Sequence, residues 1–249
     1  VRKDVKKMKL GVALSGGGIR GVAHAGALKA FEENGIKIDA IGGTSSGSLV
    51  AVLYAMGYTP YYIYMLFKRY AQELVAVDTT PIINTVSSFL TNKKFQIYGF
   101  NSGEAIEKAY NEIALRKGVR YMSDIKMPIV IPAVDVKTSK EYVFTNKRNK
   151  SMYISDIPVG TAVRASSSFP GVFCPCVYKE FRFLDGGILD NIPVNEVKKL
   201  GADKVIAINF KADDIDETSN FMDISMRTLD IMGNKISEES LQNSDFILT

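Results

Sequence analysis

The sequence predicts an α/β fold, a parallel sheet wrapped by helices, and three observations carry that expectation. Short apolar, β-compatible runs at 9–14 and 38–41 alternate with helically spaced apolar residues at 19–34 and 46–56. The loops between them are short, which is the strand–helix–strand–helix pattern of parallel strands with crossover helices. Glycines crowd the exits of both strands, as Ser15-Gly16-Gly17-Gly18 and Gly42-Gly43, where such sheets hold their sites.

Taken in order, residues 9–14 form the first strand. Ile19, Val22, Ala23, Gly26, Ala27, Ala30 and Phe31 give the helix 19–34 its face, and Gly35 suits a helix C-terminus. Residues 46–56 are apolar nearly all round, the mark of a buried helix, ended by Gly57 and Pro60. Residues 58–77 read as a helix rich in Tyr58, Tyr61, Tyr62, Tyr64 and Phe67. Residues 78–100 have no clean period and are a candidate lid. Asn101-x-x-Glu104 has the pattern of a capping box, opening a helix that runs to Gly118. Strands are expected at 128–136 and 141–145, a short helix at 159–167, and a strand pair at 173–178 and 180–184. A helix with proline in its first turn (193–200), a buried strand (204–210), an amphipathic helix (220–239) and a last strand from 246 complete the chain. There are no repeats and no linker, so 1–249 is expected to be one domain, with 1–8 as a basic N-terminal tail.

Composition excludes several classes. The chain has 249 residues, 46% hydrophobic and 23% charged, ordinary for a globular domain. A net charge of +4, with no basic stripe interleaved with aromatics, argues against nucleic acid. Arg2, Lys3, Lys6, Lys7 and Lys9 cluster at the start, as a solvated tail or as a contact with an anionic membrane. Cys174 and Cys176 lack the further Cys or His residues of a metal site and read as small buried or pocket-lining residues in a reducing compartment. No leader is visible, Val1 suggests a trimmed chain, and no stretch of about 20 apolar residues occurs. The expectation is a cytoplasmic protein that touches a membrane peripherally without crossing it; no oligomeric state follows.

The chemistry centres on Gly43-Thr44-Ser45-Ser46-Gly47, a G-x-S-x-G between a strand and a buried helix, the context in which this motif exposes a nucleophilic serine. Gly43 and Gly47 permit the sharp turn, and the helix dipole points its positive end at Ser45. Gly16-Gly17-Gly18-Ile19-Arg20-Gly21 leaves backbone N–H groups bare at a helix start, suited to an anion. It also fits the dinucleotide fingerprint, but Asp39 lies at the start of the second strand, and its end, where a ribose acceptor belongs, carries the serine turn. Parallel strands bring the two loops to one sheet edge, so the glycine loop reads as an oxyanion hole beside Ser45. The one histidine, His24, precedes Ser45, so the triad order Ser, Asp, His is impossible, and His24 reads as structural. The base is then a carboxylate, lysine or tyrosine. Asp185, at the end of an apolar strand and followed by Gly186-Gly187, is the best carboxylate, with Asp190 and Asp135 behind it.

These three motifs, in this order and context, resemble the patatin-like phospholipases. Arg20-Gly21-Val22-Ala23-His24-Ala25-Gly26, Ala165-Ser166-Ser167-Ser168-Phe169-Pro170 and Gly187 through Asn191-Ile192-Pro193 extend the likeness to residues 9–210. It resembles the compact single-domain bacterial branch, without the extra regulatory domains of the neuropathy target esterase type. The resemblance implies a three-layer α/β/α sandwich with a mainly parallel sheet. It implies a Ser45–Asp185 dyad, an oxyanion hole at Gly16, Gly17, Gly18, Arg20 and Gly21, and no metal or cofactor. Arg20 steadies that loop or meets a lipid phosphate. Ser166 stands where the family's block has threonine. The expected activity is hydrolysis of a lipid or fatty-acyl ester, of phospholipase A, lysophospholipase or carboxylesterase type, through an acyl-enzyme. Acyl transfer to an alcohol, a silent lipid-binding protein and a nucleotide-binding oxidoreductase are the competing readings, the last disfavoured by Asp39. Tyr61 and Tyr62 are the expected interfacial residues.

Overall fold

The computed structural model describes residues 7–75, 101–147, 151–210 and 221–249. The candidate lid at 78–100 lies outside the described residues, as do Arg2, Lys3 and Lys6 of the basic tail.

The strands are β1 (Leu10–Leu14), β2 (Ala40–Gly43), β3 (Ile129–Asp135), β4 (Lys140–Thr145), β5 (Tyr153–Ile154), β6 (Cys176–Tyr178), β7 (Phe181–Asp185), β8 (Lys204–Ile208) and β9 (Phe246–Leu248). They form one sheet in the order β5-β4-β3-β2-β1-β8-β9, with β7 joining β3, and β6 joining β7. Pairings are parallel except β3–β4, β3–β7 and β6–β7. The helices are α1 (Ala23–Glu33), α2 (Ser46–Ala55), α3 (Pro60–Val75), α4 (Glu104–Leu115), α5 (Val159–Ser166), α6 (Val194–Lys199) and α7 (Phe221–Gln242).

Alternation along β1 separates two cores, because successive strand residues face opposite sides of a sheet. Val12 and Leu14 join Leu28, Val52, Ile63, Ile106 and Val163 in a core under α1–α5. Ala13 joins Val194, Val197 and Val205 in a smaller core under α6, with Leu241 of α7 packed against it. The result is the three-layer α/β/α arrangement, thicker on the α1–α5 side. α6 seats closely because β1 and β2 offer glycine beneath it: a Cβ on Gly11 or Gly42 would lie 2.4 or 2.6 Å from a Val197 methyl.

One register detail places the site. β2 lies beside only the first part of β3, as Ile41 and Gly42 pair with Ile129 and Val130. β7 descends antiparallel beside the later part, with Asp185 opposite Ala133. Two strands thus approach end to end along one edge of β3, and the end of β2 in Gly43 and the end of β7 in Asp185 meet.

Several expected elements differ. The helix expected at 19–34 opens with a 3-10 turn, Gly18–Val22, before α1. Gly18 takes φ 57° and Gly21 lies against Ser46, so the chain is wound tightly where it crosses α2. Strand 173–178 is reduced to β6, as Pro175 has no N–H to give to a ladder. The capping box is not made: Gly103 caps α4, Asn101 Oδ1 accepts the Gly103 N–H at 2.8 Å, and Ser102 Oγ accepts that of Glu104.

α4 and α5 cross at Gly160, where an added Cβ would lie 2.0 Å from the Glu107 carbonyl oxygen. Asn111 accepts the Gly160 N–H at 2.8 Å, and Glu107 binds both Thr161 and Arg164. Gly160→Ala is therefore expected to force these helices apart and cost about 1–3 kcal/mol. The urea midpoint should fall; an unchanged midpoint would show that the crossing adjusts freely.

Candidate active site

Ser45 is the N-cap of α2 but makes no side-chain cap hydrogen bond, so its hydroxyl is not spent on the helix. Its backbone is at φ 52°, ψ −124°, a region that glycine favours and serine enters only under constraint. The constraint comes from both flanks. A Cβ on Gly43 would lie 2.3 Å from the Gly47 carbonyl oxygen, and one on Gly47 2.5 Å from that of Leu14. Positions 43 and 47 must both be glycine for the chain to turn this sharply beside β1. The Ser45 N–H donates to Ser166 Oγ at 3.1 Å, a contact that pins the turn from α5. Ser166 was visible in the sequence only as a small change in a motif.

Asp185 is 2% exposed. Its Oδ1 accepts the Gly187 N–H at 2.8 Å. Burial pushes its pKa up to about 6, while the neighbouring Ser45 hydroxyl and the Gly187 N–H offset part of that rise. Oδ2 is buried with no hydrogen-bond partner, so Ser45 influences the carboxylate without closing a well-formed bond to it. Gly186 is wedged between Pro132 and Thr44, where a Cβ would meet the Pro132 carbonyl oxygen at 2.4 Å and the Thr44 methyl at 3.1 Å. The Asp185-Gly186-Gly187 segment can therefore lie directly against the serine turn.

The glycine loop leaves β1 on the same side. A Cβ on Gly16 would come within 3.2 Å of Ser45 Cβ. The Gly16 N–H is engaged, donating to both the carbonyl and the Oδ1 of Asn191 at 3.2 Å each. Among the described residues, the Gly17, Gly18 and Ile19 N–H groups meet no acceptor, so the loop's donors are open at these positions. Gly21 packs on Ser46. The Arg20 side chain folds back onto the loop: Nε donates to the Gly17 carbonyl at 3.2 Å and the guanidinium covers Phe210 at 5.6 Å. Phe210 fills the space behind Gly17, where a Cβ would lie 2.5 Å from its ring. These contacts hold the Arg20 side chain against the glycine loop.

The other titratable candidates have different surroundings, although His24 Nδ1 and Asp190 Oδ1 are also buried without a hydrogen-bond partner. His24 is fully buried, its Nε2 2.9 Å from the Ser15 carbonyl and its ring against Phe210, and burial lowers its pKa to about 4. Asp135 accepts from Thr138 and Arg182 at the β3 turn. Asp190 is pushed up to about 8 by burial and by nearby Glu141 and Glu196. Its carbonyl, not its carboxyl, reaches the site, accepting the Thr44 hydroxyl at 2.8 Å. Both cysteines are free thiols; Cys176 is buried and Cys174 half-buried. Among the described residues no group of three His, Cys, Asp or Glu side chains is arranged to hold a metal ion.

An apolar cavity lies one turn along α2 from Ser45, lined by Leu49, Leu66, Phe67, Ile106, Tyr110 and Phe173. Beside the glycine loop, Ile19 is 73% exposed, and α3 exposes Tyr61 (65%), Tyr64 and Met65. Tyr62, in contrast, stacks on Tyr58 at 4.7 Å.

A three-layer α/β/α sandwich with a serine on a strand–turn–helix elbow, a glycine loop beside it and a buried carboxylate facing it defines a class of G-x-S-x-G proteins that lack the histidine-bearing triad. Within that class the chain belongs to the patatin-like phospholipase family, whose profile matches residues 12–198. It is 33% identical over 222 residues to the lysophospholipase NTE1 of Meyerozyma guilliermondii, covering 86% of this chain and 13% of that protein. The NTE1 lysophospholipase of Candida albicans is also 33% identical, over 86% of this chain and 14% of its own length. The chain thus spans about an eighth of the curated relatives it matches. Among solved structures, the ExoU-SpcU complex of Pseudomonas aeruginosa includes a chain 19% identical, with a TM-score of 0.48, over 95% of this chain and 52% of that one. Among the described residues, no helix is long and apolar enough to cross a membrane.

Proposed function

We propose that the chain is a serine lipid acyl hydrolase working through a Ser45–Asp185 dyad. The observation that carries this reading is the end-to-end approach of β2 and β7. It sets a serine held at φ 52° against a buried carboxyl with a pKa of about 6 and an unpartnered oxygen. A carboxylate tuned towards neutrality is able to accept a proton from serine and return it near pH 7.

Ser45 Oγ attacks the ester carbonyl carbon, and its proton passes to Asp185. The carbonyl oxygen becomes an oxyanion facing the Gly17 and Gly18 N–H groups. Collapse breaks the ester C–O bond, and the leaving alcohol takes the proton from Asp185. Water then attacks the acyl-enzyme, Asp185 again takes a proton, and the fatty acid leaves as Ser45 recovers it. The apolar cavity beyond Leu49 is the place for an acyl chain. The curated relatives are named lysophospholipases, which makes a single-chain phospholipid the first substrate to test.

Fatty acid release from lysophosphatidylcholine, diacyl phosphatidylcholine and p-nitrophenyl butyrate, each with a Ser45→Ala control, tests the reading. Release above the control is expected, greatest for the single-chain lipid. No substrate turned over above the control would sink it. Ester formation when glycerol is added would mark transfer in place of hydrolysis.

The exposed face of α3 beside Ile19 is suited to contact with a lipid surface, since amphipathic aromatics favour that boundary. Because Tyr62 is stacked on Tyr58, Tyr61 and Tyr64 are the cleaner probes. Tyr61→Ala/Tyr64→Ala is expected to lower binding to phosphatidylglycerol vesicles severalfold with an unchanged circular dichroism spectrum. Equal binding would remove α3 from the contact.

A further inference from the structure

We infer that Asn191 is a positioning residue for the glycine loop, a latch that holds the oxyanion donors in register with both Ser45 and Asp185; this rests on the hydrolase reading above. Asn191 follows Asp185 by six residues, beyond the 3-10 turn Gly186–Ile188. Its carbonyl and its Oδ1 both accept the Gly16 N–H, each at 3.2 Å. That donor also fixes the orientation of the side-chain amide, because only the oxygen is able to face an N–H. The preceding carbonyl, of Asp190, accepts the Thr44 hydroxyl at 2.8 Å. One dipeptide therefore grips the loop after β1 and the residue before the nucleophile, while its own chain leads back to the base.

The packing shows that the amide is a fitted wedge. A Cβ on Gly16 would lie 2.6 Å from Asn191 Oδ1, and one on Gly187 3.1 Å from the same atom. Glycine on both loops makes room for it. Gly233 of α7 lies on the other side, where a Cβ would be 3.8 Å from Asn191 Cβ, Cγ and Nδ2. Among the described residues, no hydrogen bond joins the Asn191 side chain to Ser45 or Asp185. What it controls is the direction in which the chain leaves β1, and so where the Gly17 and Gly18 N–H groups lie. Donors placed for a developing oxyanion act in the transition state and contribute little to ground-state binding. Loss of the latch should appear in kcat and not in KM.

The test compares wild type, Asn191→Ala, Asn191→Asp and Ser45→Ala on p-nitrophenyl butyrate. Asn191→Ala is expected to lower kcat roughly 10- to 100-fold, less than outright deletion of an oxyanion donor, with KM within about threefold. Asn191→Asp keeps an acceptor at the Oδ1 position and should recover most of kcat at pH 8 to 9, with the acid limb of its profile moved upward by the added negative charge. An unchanged kcat in Asn191→Ala, a KM that rises as far as kcat falls, or an aspartate variant as poor as alanine would overturn the inference. If Asn191→Ala does not fold, amide exchange in the wild type decides: Gly16 should be protected and Gly17 and Gly18 should exchange freely, and equal exchange at all three overturns it. A wild type no more active than Ser45→Ala would fail the hydrolase reading itself and take the positioning role with it. An active wild type with a fully active Asn191→Ala would fail only the latch.

Discussion

Ser45→Gly is expected to abolish ester hydrolysis and to raise the thermal midpoint, whereas Ser45→Ala abolishes hydrolysis without that gain. Both variants remove the attacking oxygen, and a loss of at least about 10³-fold is the usual consequence of deleting a serine nucleophile. They differ in what they do to the backbone. At φ 52°, ψ −124° a residue with a Cβ stores strain of about 1–3 kcal/mol, and alanine keeps it. Glycine releases it, at a cost of about 0.4–1 kcal/mol in unfolded-chain entropy. The balance leaves about 0–2.6 kcal/mol in favour of glycine, and each kcal/mol moves the midpoint of a domain of this size by about 2–4 °C. Calorimetry of the two variants at one pH reads the difference. A glycine variant that melts at or below the alanine variant would show that the turn is relaxed and that the geometry of Ser45 stores nothing.

That strain explains why this part of the site was legible in the sequence. A turn so sharp permits only glycine at Gly43 and Gly47, and it needs a strand before it and a helix after it, so motif and context announce each other. Asp185 was legible for a similar reason: Gly186 must pass between Pro132 and Thr44, and a carboxylate followed by two glycines marks a chain pressed against something. The partners of these residues carried no such local sign. Ser166 lies 121 positions from the N–H it accepts, and Asn191 lies 175 positions from Gly16. Each is an ordinary polar residue whose role exists only once the sheet has formed. The same is true of Phe210, which read as the end of a strand and is the wall behind Gly17. The strand order was legible only in part, since nothing in 180–184 tells that β7 takes up the edge of β3 where β2 leaves it. Where expected boundaries moved, local hydrogen bonding decided: the Asn101 side chain satisfied Gly103 instead of closing a capping box, and Pro175 shortened β6.

Asp185→Asn should remove nearly all activity and abolish one pH-dependent contribution to stability. Asparagine is similar in size, and its amide oxygen is still able to accept the Gly187 N–H, so the fold should survive. It cannot take a proton from Ser45, and a loss on the order of 10³-fold or more is expected in kcat. In the wild type the base must be ionised. With a pKa of about 6, kcat/KM should rise with pH through about 6 and fall tenfold per unit below it. The linkage to stability runs the other way. The folded pKa lies above the ordinary 3.8, so the folded state is favoured while Asp185 is protonated. That contribution is fully present below about pH 4 and is lost as pH rises through about 6, a difference on the order of 2–3 kcal/mol for a carboxyl this buried. Asparagine has nothing to ionise, so the variant should gain on the wild type between pH 4 and pH 8. Denaturant unfolding at those two pH values, beside the pH–rate profile, reads both effects. A variant with more than a tenth of wild-type kcat would remove Asp185 as the base, whereas a wild-type acid limb at pH 4 or below would show that its pKa is not raised by burial. A stability gap that does not widen with pH would mean that the carboxyl is solvated in solution, and the cause given for its raised pKa would go with it.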